Sequence, residues 1–380
     1  MSNPAFDLSG YLKDLAYIVN IDSGSKHPEG TAKVAEFFRE KFVGIGWKVK
    51  VHTVDSSVGP CLEIVNTDQN NYDLLFMGHM DTVFAVGTAA ERPFTIKENK
   101  AYGPGVLDMK PGLLYIYYVL ESLQRAGKLA GVNVCAAFNS DEEISSRYSR
   151  PWLENLARKS KYALVLEAAR ANGNLVNERK GIGRYTIDIT GVAAHAGVDH
   201  EKGRSAIQEL SHWIQFLHSQ TNYEIGTTVN VGLVSGGIGA NTVAEHAKAE
   251  VDMRICTLDE AERIETLMHA FAAHPKTQGV TVKVSGKVMR PPMVPSDSTL
   301  QLCAEVEKIA ADLGIDIKWT ATGGGSDGNF SANLGVTTID GLGPVGGSGH
   351  SSSEYLVVDS IEPRFHLLYR TIEHIIDNKG

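Results

Sequence analysis

Leu74-Leu75-Phe76-Met77 places four apolar side chains in succession, and a short run of that kind reads as a strand covered on both faces. Such a strand commits the chain to a layered architecture, because helices must supply the cover on either side. Gly78 closes the run, and His79 and Asp81 follow two residues apart. In extended backbone both would project from one face. A carboxylate at Asp81 can accept the His79 ring N–H and leave the other ring nitrogen to bind a metal. A hydrogen-bonded core histidine explains the same pair, and the stretch alone does not choose.

The flanking sequence carries the same alternation. Apolar spacing predicts helices over 6–20, 31–43, 111–123 and 152–158, with strands at 47–54, 61–66, 73–78, 132–138 and 162–166. After Gly181 the pattern changes to half-exposed strands at 184–190, 227–234, 247–255 and 280–284, with helices over 204–218 and 258–274. Pro291-Pro292 marks the exit from that module, and a helix over 297–313, capped by Ser296 or Asp297, resumes the first rhythm. Strands at 315–320 and 337–340 and a helix over 363–377 finish it. The expected fold is therefore α/β, a mixed central sheet flanked by helices over residues 1–182 and 291–380, interrupted by an inserted α+β domain over 183–290.

The net charge of −9 and the absence of any Lys/Arg run leave no electrostatic footprint for nucleic acid. No run approaches the ~18 apolar residues of a membrane span, and the first residues lack the apolar core of a secretory signal. The four cysteines are scattered, with no C-x-x-C pair. Together these features set the expectation of a reduced, cytoplasmic protein without a membrane partner. His200, His212, His218, His269 and His274 read as surface or packing residues.

Acids then recur where predicted strands end, the edge at which α/β sheets collect ligands. Asp108 sits in Gly103-Pro104-Gly105-Val106-Leu107-Asp108-Met109-Lys110, directly before a helix. It reads equally as a helix cap or as a ligand. Asp141-Glu142-Glu143 closes one apolar strand and Glu167 the next. Three neighbouring carboxylates repel unless solvated or shared by cations, so a solvated turn also stays open. Gly346-Gly347-Ser348-Gly349-His350 offers a second imidazole on a close-approach loop. Imidazoles and carboxylates in this number suit Zn²⁺, with Co²⁺ or Mn²⁺ as further possibilities. A water between two such ions becomes acidic near neutral pH, and one carboxylate must stay off the metal to move its proton.

At this point the sequence resembles the M20 group of di-zinc peptidases, which contains glutamate carboxypeptidase, acetylornithine deacetylase, succinyl-diaminopimelate desuccinylase and aminoacylase. The resemblance rests on Gly78-His79-Met80-Asp81-Thr82-Val83, Gly103–Lys110, Asp141-Glu142-Glu143, Ala194-His195-Ala196-Gly197, Gly323-Gly324-Gly325-Ser326-Asp327 and Gly349-His350-Ser351, in that order. Ala101-Tyr102-Gly103-Pro104-Gly105 is most similar to the glutamate carboxypeptidase branch. The resemblance implies two Zn²⁺ per subunit. Asp108 would bridge them, His79 and Glu167 would complete one site, and Glu143 and His350 the other. Glu142 would be general base and acid, and Asp81 would orient His79. The inserted domain would serve as lid and homodimer interface, with His195 polarising the scissile carbonyl, in many members that of the partner subunit. Asn241, Arg254 and Gly325 would hold the substrate, and Arg290 an acidic side chain. The implied activity is hydrolysis of an amide bond in a small peptide or N-acyl amino acid, with glutamate-carboxypeptidase-like release of a C-terminal residue leading. An N-acyl amino acid deacylase and a catalytically silent relative are the alternatives. The chain departs from the group at Ala168, Ala244 and Ser326-Asp327-Gly328, none of which removes a ligand.

Overall fold

The computed structural model describes residues 4–378. The chain divides into two compact units. One runs to Glu178 and resumes over Pro295–Thr322 and from Ser326 onward; the other comprises Arg179–Val294 with Gly323–Gly325.

The first unit is built on a six-stranded mixed sheet ordered Lys48–His52, Cys61–Val65, Val134–Asn139, Tyr72–His79, Ser160–Val165, Thr337–Ile339. Cys61–Val65 runs antiparallel to both of its neighbours, and the remaining pairs are parallel. Successive side chains leave on opposite faces. Leu74 and Phe76 therefore enter one apolar cluster with helices Leu8–Val19, Pro28–Gly44, Lys110–Arg125 and Ile361–Asp377. Leu75 and Met77 enter another with Leu153, Leu156 and Phe330. Both faces of Tyr72–His79 are thus sealed, as the uninterrupted apolar run requires. Cys61, Cys135 and Cys303 are buried free thiols within this unit.

The second unit is a four-stranded antiparallel sheet ordered Thr228–Gly236, His246–Ile255, Gly181–Thr190, Thr281–Arg290. Alternate residues Tyr185, Ile187 and Ile189 pack with Leu210 and Trp213 of helix Ala206–His218 and with Ile264 and Met268 of Leu258–Ala273. Both helices therefore cover the same face. The fold is an α/β unit carrying a separate antiparallel-sheet domain inserted in its sequence.

Several element boundaries differ from the sequence expectation. The second helix starts at Pro28, whose fixed φ suits the first turn, rather than at 31. The strand expected over 315–320 is Trp319–Thr322, because Ile315 N–H is drawn back to the Ala310 carbonyl at 2.8 Å as the preceding helix ends. The strand expected to stop at 284 continues to Arg290. Gly286 hides that continuation: its φ is +124°, and a β-carbon there would lie 2.1 Å from the Arg184 carbonyl oxygen. Of the two candidate caps, Ser296 is the N-cap, its side chain accepting from Thr299 N. A small sheet of Gly346–Gly347, Tyr355–Val357, Lys100–Tyr102 and Thr95–Lys97 has no counterpart in the sequence reading, its strands being too short to show a period. No helix among the described residues is long and apolar enough to cross a membrane.

Candidate metal centre

His79 is the last residue of its strand and pairs in register with Asn139 on the neighbouring one. That register brings the acidic turn after Asn139 beside it. Asp81 is fully buried, and its carbonyl lies nearer the imidazole than its carboxylate does. His79 Nδ1 lies 2.9 Å from the Asp81 carbonyl oxygen and 3.4 Å from its carboxylate. The carboxylate is instead taken by the Ser25 hydroxyl at 2.6 Å and by the Glu142 and Glu143 amides, each at 3.2 Å. Asp81 therefore fixes the imidazole through its main chain and the acidic turn through its side chain.

Asp108 precedes helix Lys110–Arg125, whose N-cap is Met109 with no side-chain cap, so the capping explanation for Asp108 falls away. The helix start abuts the end of the next strand: a β-carbon on Gly112 would stand 2.0 Å from the Leu166 carbonyl oxygen. That close approach carries Glu167 to the same place. Asp108 Oδ1 lies 3.1 Å from His79 Nε2 and Oδ2 lies 3.0 Å from His350 Nε2. Glu167 Oε1 is 3.6 Å from His79 Nε2, and Glu143 Oε2 is 3.2 Å from His350 Nε2. One edge of the first unit's sheet thus gathers His79, Asp108, Glu143, Glu167 and His350, with Glu142 half-buried beside them. Backbone in the left-handed region at Ser145, Ser146, Ser348 and His350 shows how tightly the two supporting loops turn.

The electrostatics follow from this crowding. Burial opposes charge on His79, but hydrogen bonds to Asp108 and Asp81 outweigh it and raise its pKa well above the usual imidazole value. Hydrogen bonds to Asp108 and Glu143 push His350 up to about 11. Burial, then the nearby Asp108 charge, raises Glu167 well above the carboxylate range, with Glu142 adding to it. Burial also raises Glu143. Asp108 is held low despite its burial, because both imidazoles donate to it.

The donor set fits divalent cations. A carbonyl only accepts, so His79 Nδ1 must carry the proton facing Asp81. In the neutral ring Nε2 then presents a lone pair toward two carboxylates. That arrangement needs a second proton or a cation between them. Glu143 Oε1 is buried without a hydrogen-bond partner, and ligand atoms of His79, Asp108 and Glu143 lie within 4.8 Å of one another. Nitrogen and oxygen donors of this kind suit zinc.

Glu354 was missed by the sequence reading. It is buried and accepts the amides of Leu107 at 2.7 Å, Asp108 at 3.0 Å and Gly105 at 3.2 Å. Its position in a Ser-rich loop masked it; the only signal was its place four residues after His350.

The remaining predicted residues lie in the second unit, at two places. His195 is exposed and pairs with Thr242 across a short strand pair, and Ala196 N donates to the Asn241 carbonyl at 2.9 Å. Arg254 and Arg290 both pair with Ile182, on the strands either side of it. Gly325 packs against the Arg290 side chain, and Arg254 Nη1 donates to the Gly323 carbonyl at 3.0 Å. His200, His218, His269 and His274 are exposed and His212 half-buried.

Known proteins place this arrangement. The chain is 28% identical over 368 residues to carboxypeptidase G2 of Pseudomonas sp. (strain RS-16), covering 95% of this chain and 88% of that one. It is 25% identical over 320 residues to a succinyl-diaminopimelate desuccinylase of Delftia acidovorans, covering 80% and 81%. The crystal structure of aminopeptidase PepT from Bacillus cereus shares the fold with a TM-score of 0.78 at 22% identity, over 97% of this chain and 99% of that one. The family model for peptidase family M20/M25/M40 matches residues 75–374. That match takes in the first imidazole, all the clustered acids and the inserted module, and the chain is an enzyme belonging to peptidase family M20/M25/M40.

Proposed function

We propose that this enzyme is a di-zinc carboxypeptidase that releases a C-terminal residue, preferably an acidic one, from a small peptide or N-acyl amino acid. The observation that carries the reading is the meeting of two imidazoles and two further carboxylates around Asp108, with Glu142 next to them. His79, Asp108 and Glu167 would hold one ion, and Asp108, Glu143 and His350 the other. Zinc held there supplies Lewis acidity, which polarises a carbonyl and makes a water acidic near neutral pH. Glu142, its amide fixed by Asp81, would serve as general base toward the attacking water and then as general acid toward the departing amine. His195 donates an N–H to the carbonyl oxygen as negative charge develops. Asn241, Arg254 and Gly325 bind the substrate's free carboxylate, and Arg290 pairs with its acidic side chain.

The inserted domain acts as lid and homodimer interface in this reading. His195 and Asn241 lie beyond the His246 end of their sheet, whereas Arg254 lies at the other end of the same strand. Eight residues of strand separate those ends, about 26 Å, more than one small substrate spans. A site using both sets therefore draws them from two copies.

The similarity to a desuccinylase favours a second reading, an N-acyl amino acid deacylase. Metal analysis with hydrolysis of C-terminal glutamyl peptides, N-acyl-glutamates and N-acetylornithine separates the two. Fastest cleavage of the glutamyl peptides, in a protein holding two zinc ions, is the expected result. A protein that binds no zinc, or that cleaves only N-acetylornithine, overturns it.

A further inference from the structure

Glu354 is the buried acid near the centre that the proposed chemistry does not use. Its carboxylate is 1% exposed and sits inside the turn of the loop that presents Asp108. Oε1 accepts from the Leu107 and Asp108 amides and Oε2 from that of Gly105. Three main-chain N–H groups converging on one anion form a charge-assisted cradle. Gly105 makes it possible, with φ at +74° and space for no β-carbon, since one would meet the Thr82 methyl at 2.8 Å. On its far side the loop is tied by Lys110, itself buried, whose ammonium donates to the Ile21 carbonyl at 2.9 Å and the Pro104 carbonyl at 3.5 Å.

The same residue belongs to the other ligand-bearing loop. Glu354 follows His350 by four residues, and Tyr355, next in sequence, pairs with Tyr102 just before the Asp108 loop begins. One side chain therefore spans the gap between the segment carrying Asp108 and the segment carrying His350.

We infer that Glu354 is a positioning residue that locks these two loops together, so that Asp108 faces His79 with one oxygen and His350 with the other before any cation arrives. The inference rests on the reading of Asp108 as a metal ligand. A residue that only anchored the fold would lower stability without changing the affinity of the ligand set. The two roles are therefore separable.

Glu354→Gln keeps the shape but supplies one oxygen, leaving its –NH₂ group donor-to-donor against a loop amide. The test titrates zinc chloride into metal-free wild type, Glu354→Gln and Leu356→Val against a chromophoric chelator, and records metal-free thermal unfolding and steady-state kinetics. Glu354→Gln is expected to weaken zinc binding and lower kcat by about 10- to 100-fold, with KM changed less than about threefold. Leu356→Val loosens the same strand at a fully buried position and should leave zinc affinity at the wild-type value. Wild-type zinc affinity in Glu354→Gln overturns the inference. So does an equal loss in Leu356→Val at a matched drop in unfolding midpoint. If Glu354→Gln does not fold, Glu354→Asp, with the charge kept and the reach shortened, is read the same way. A wild type that binds no zinc sinks the metal-centre reading and this inference together; a zinc-binding wild type with an indifferent Glu354 sinks this one alone.

Discussion

In the first unit, His79 and Asp81 are 1% and 0% exposed, with the ring held at the Asp81 carbonyl and the carboxylate by the Ser25 hydroxyl and the Glu142 and Glu143 amides. In the second unit, His195 and Asn241 are exposed, and the His195 ring accepts a hydrogen bond from the Gly197 amide at 3.1 Å. The first set is held in place by strand register, helix packing and the Asp81 and Glu354 carboxylates. In the proposed chemistry it would meet a cation already assembled. The second set sits on a short strand pair tied by main-chain hydrogen bonds, an exposed placement that suits the substrate contacts proposed for it. Preorganisation is thus concentrated where like charges must be kept together, and freedom where a ligand has to enter.

The largest effect that would sharpen this comparison comes from metal removal. Dialysis against a strong chelator should abolish hydrolysis, and zinc should restore it; full activity in a protein shown to be metal-free would break the first half of the contrast. Next, Glu142→Gln should lower kcat by about 10²- to 10⁴-fold while zinc stoichiometry stays at the wild-type value. A loss of zinc instead would mean that Glu142 and Glu143 have exchanged roles.

His195→Ala tests the other half. Removing one donor to a developing oxyanion costs about 10²- to 10³-fold in kcat, and zinc affinity should not move. Mixing His195→Ala with Glu142→Gln goes further. In a two-fold dimer that shares sites, each mixed pair regains one intact site, so random exchange should return about a quarter of wild-type activity. A mixture no more active than its parents, with subunit exchange shown independently, rules out sharing.

The sequence made three of the first unit's candidate ligands legible because His79, Glu143 and Glu167 end or follow apolar strands, as after Val134-Cys135-Ala136-Ala137-Phe138, whereas Asp108 and His350 lie in Gly-rich loops. It also showed the antiparallel character of the second unit through alternation at 184–190 and 247–255. What escaped notice has a physical cause in each case. Glu354 works through main-chain amides, which leave no residue-type signature. The small sheet that carries it has strands of two or three residues. Sequence spacing places Asp81 beside His79 but does not say that its carbonyl, at 2.9 Å, stands nearer the ring than its carboxylate, at 3.4 Å.

The smallest expected effect contrasts two orphaned polar atoms. Glu143 Oε1 and Trp213 Nε1 are both buried without a hydrogen-bond partner, one at the metal centre and one in the second unit's core. The indole stands edge-on to Phe271 at 5.0 Å and to Phe216 at 5.8 Å, in purely apolar company where no ligand is called for. An unpaired buried N–H costs about 1–3 kcal/mol. Trp213→Phe removes that penalty while giving up part of the ring's packing, so the two terms should offset and leave stability within about 1 kcal/mol of wild type. Denaturant unfolding at constant m-value measures it, and zinc affinity should be untouched. Glu143→Ala should do the reverse, with zinc affinity falling steeply, because its carboxylate belongs to the candidate ligand cluster with His79 and Asp108. A Trp213→Phe protein destabilised by more than about 3 kcal/mol would mean that the indole N–H has a partner after all, and that an unsatisfied atom in this fold does not by itself distinguish a ligand from a packing compromise.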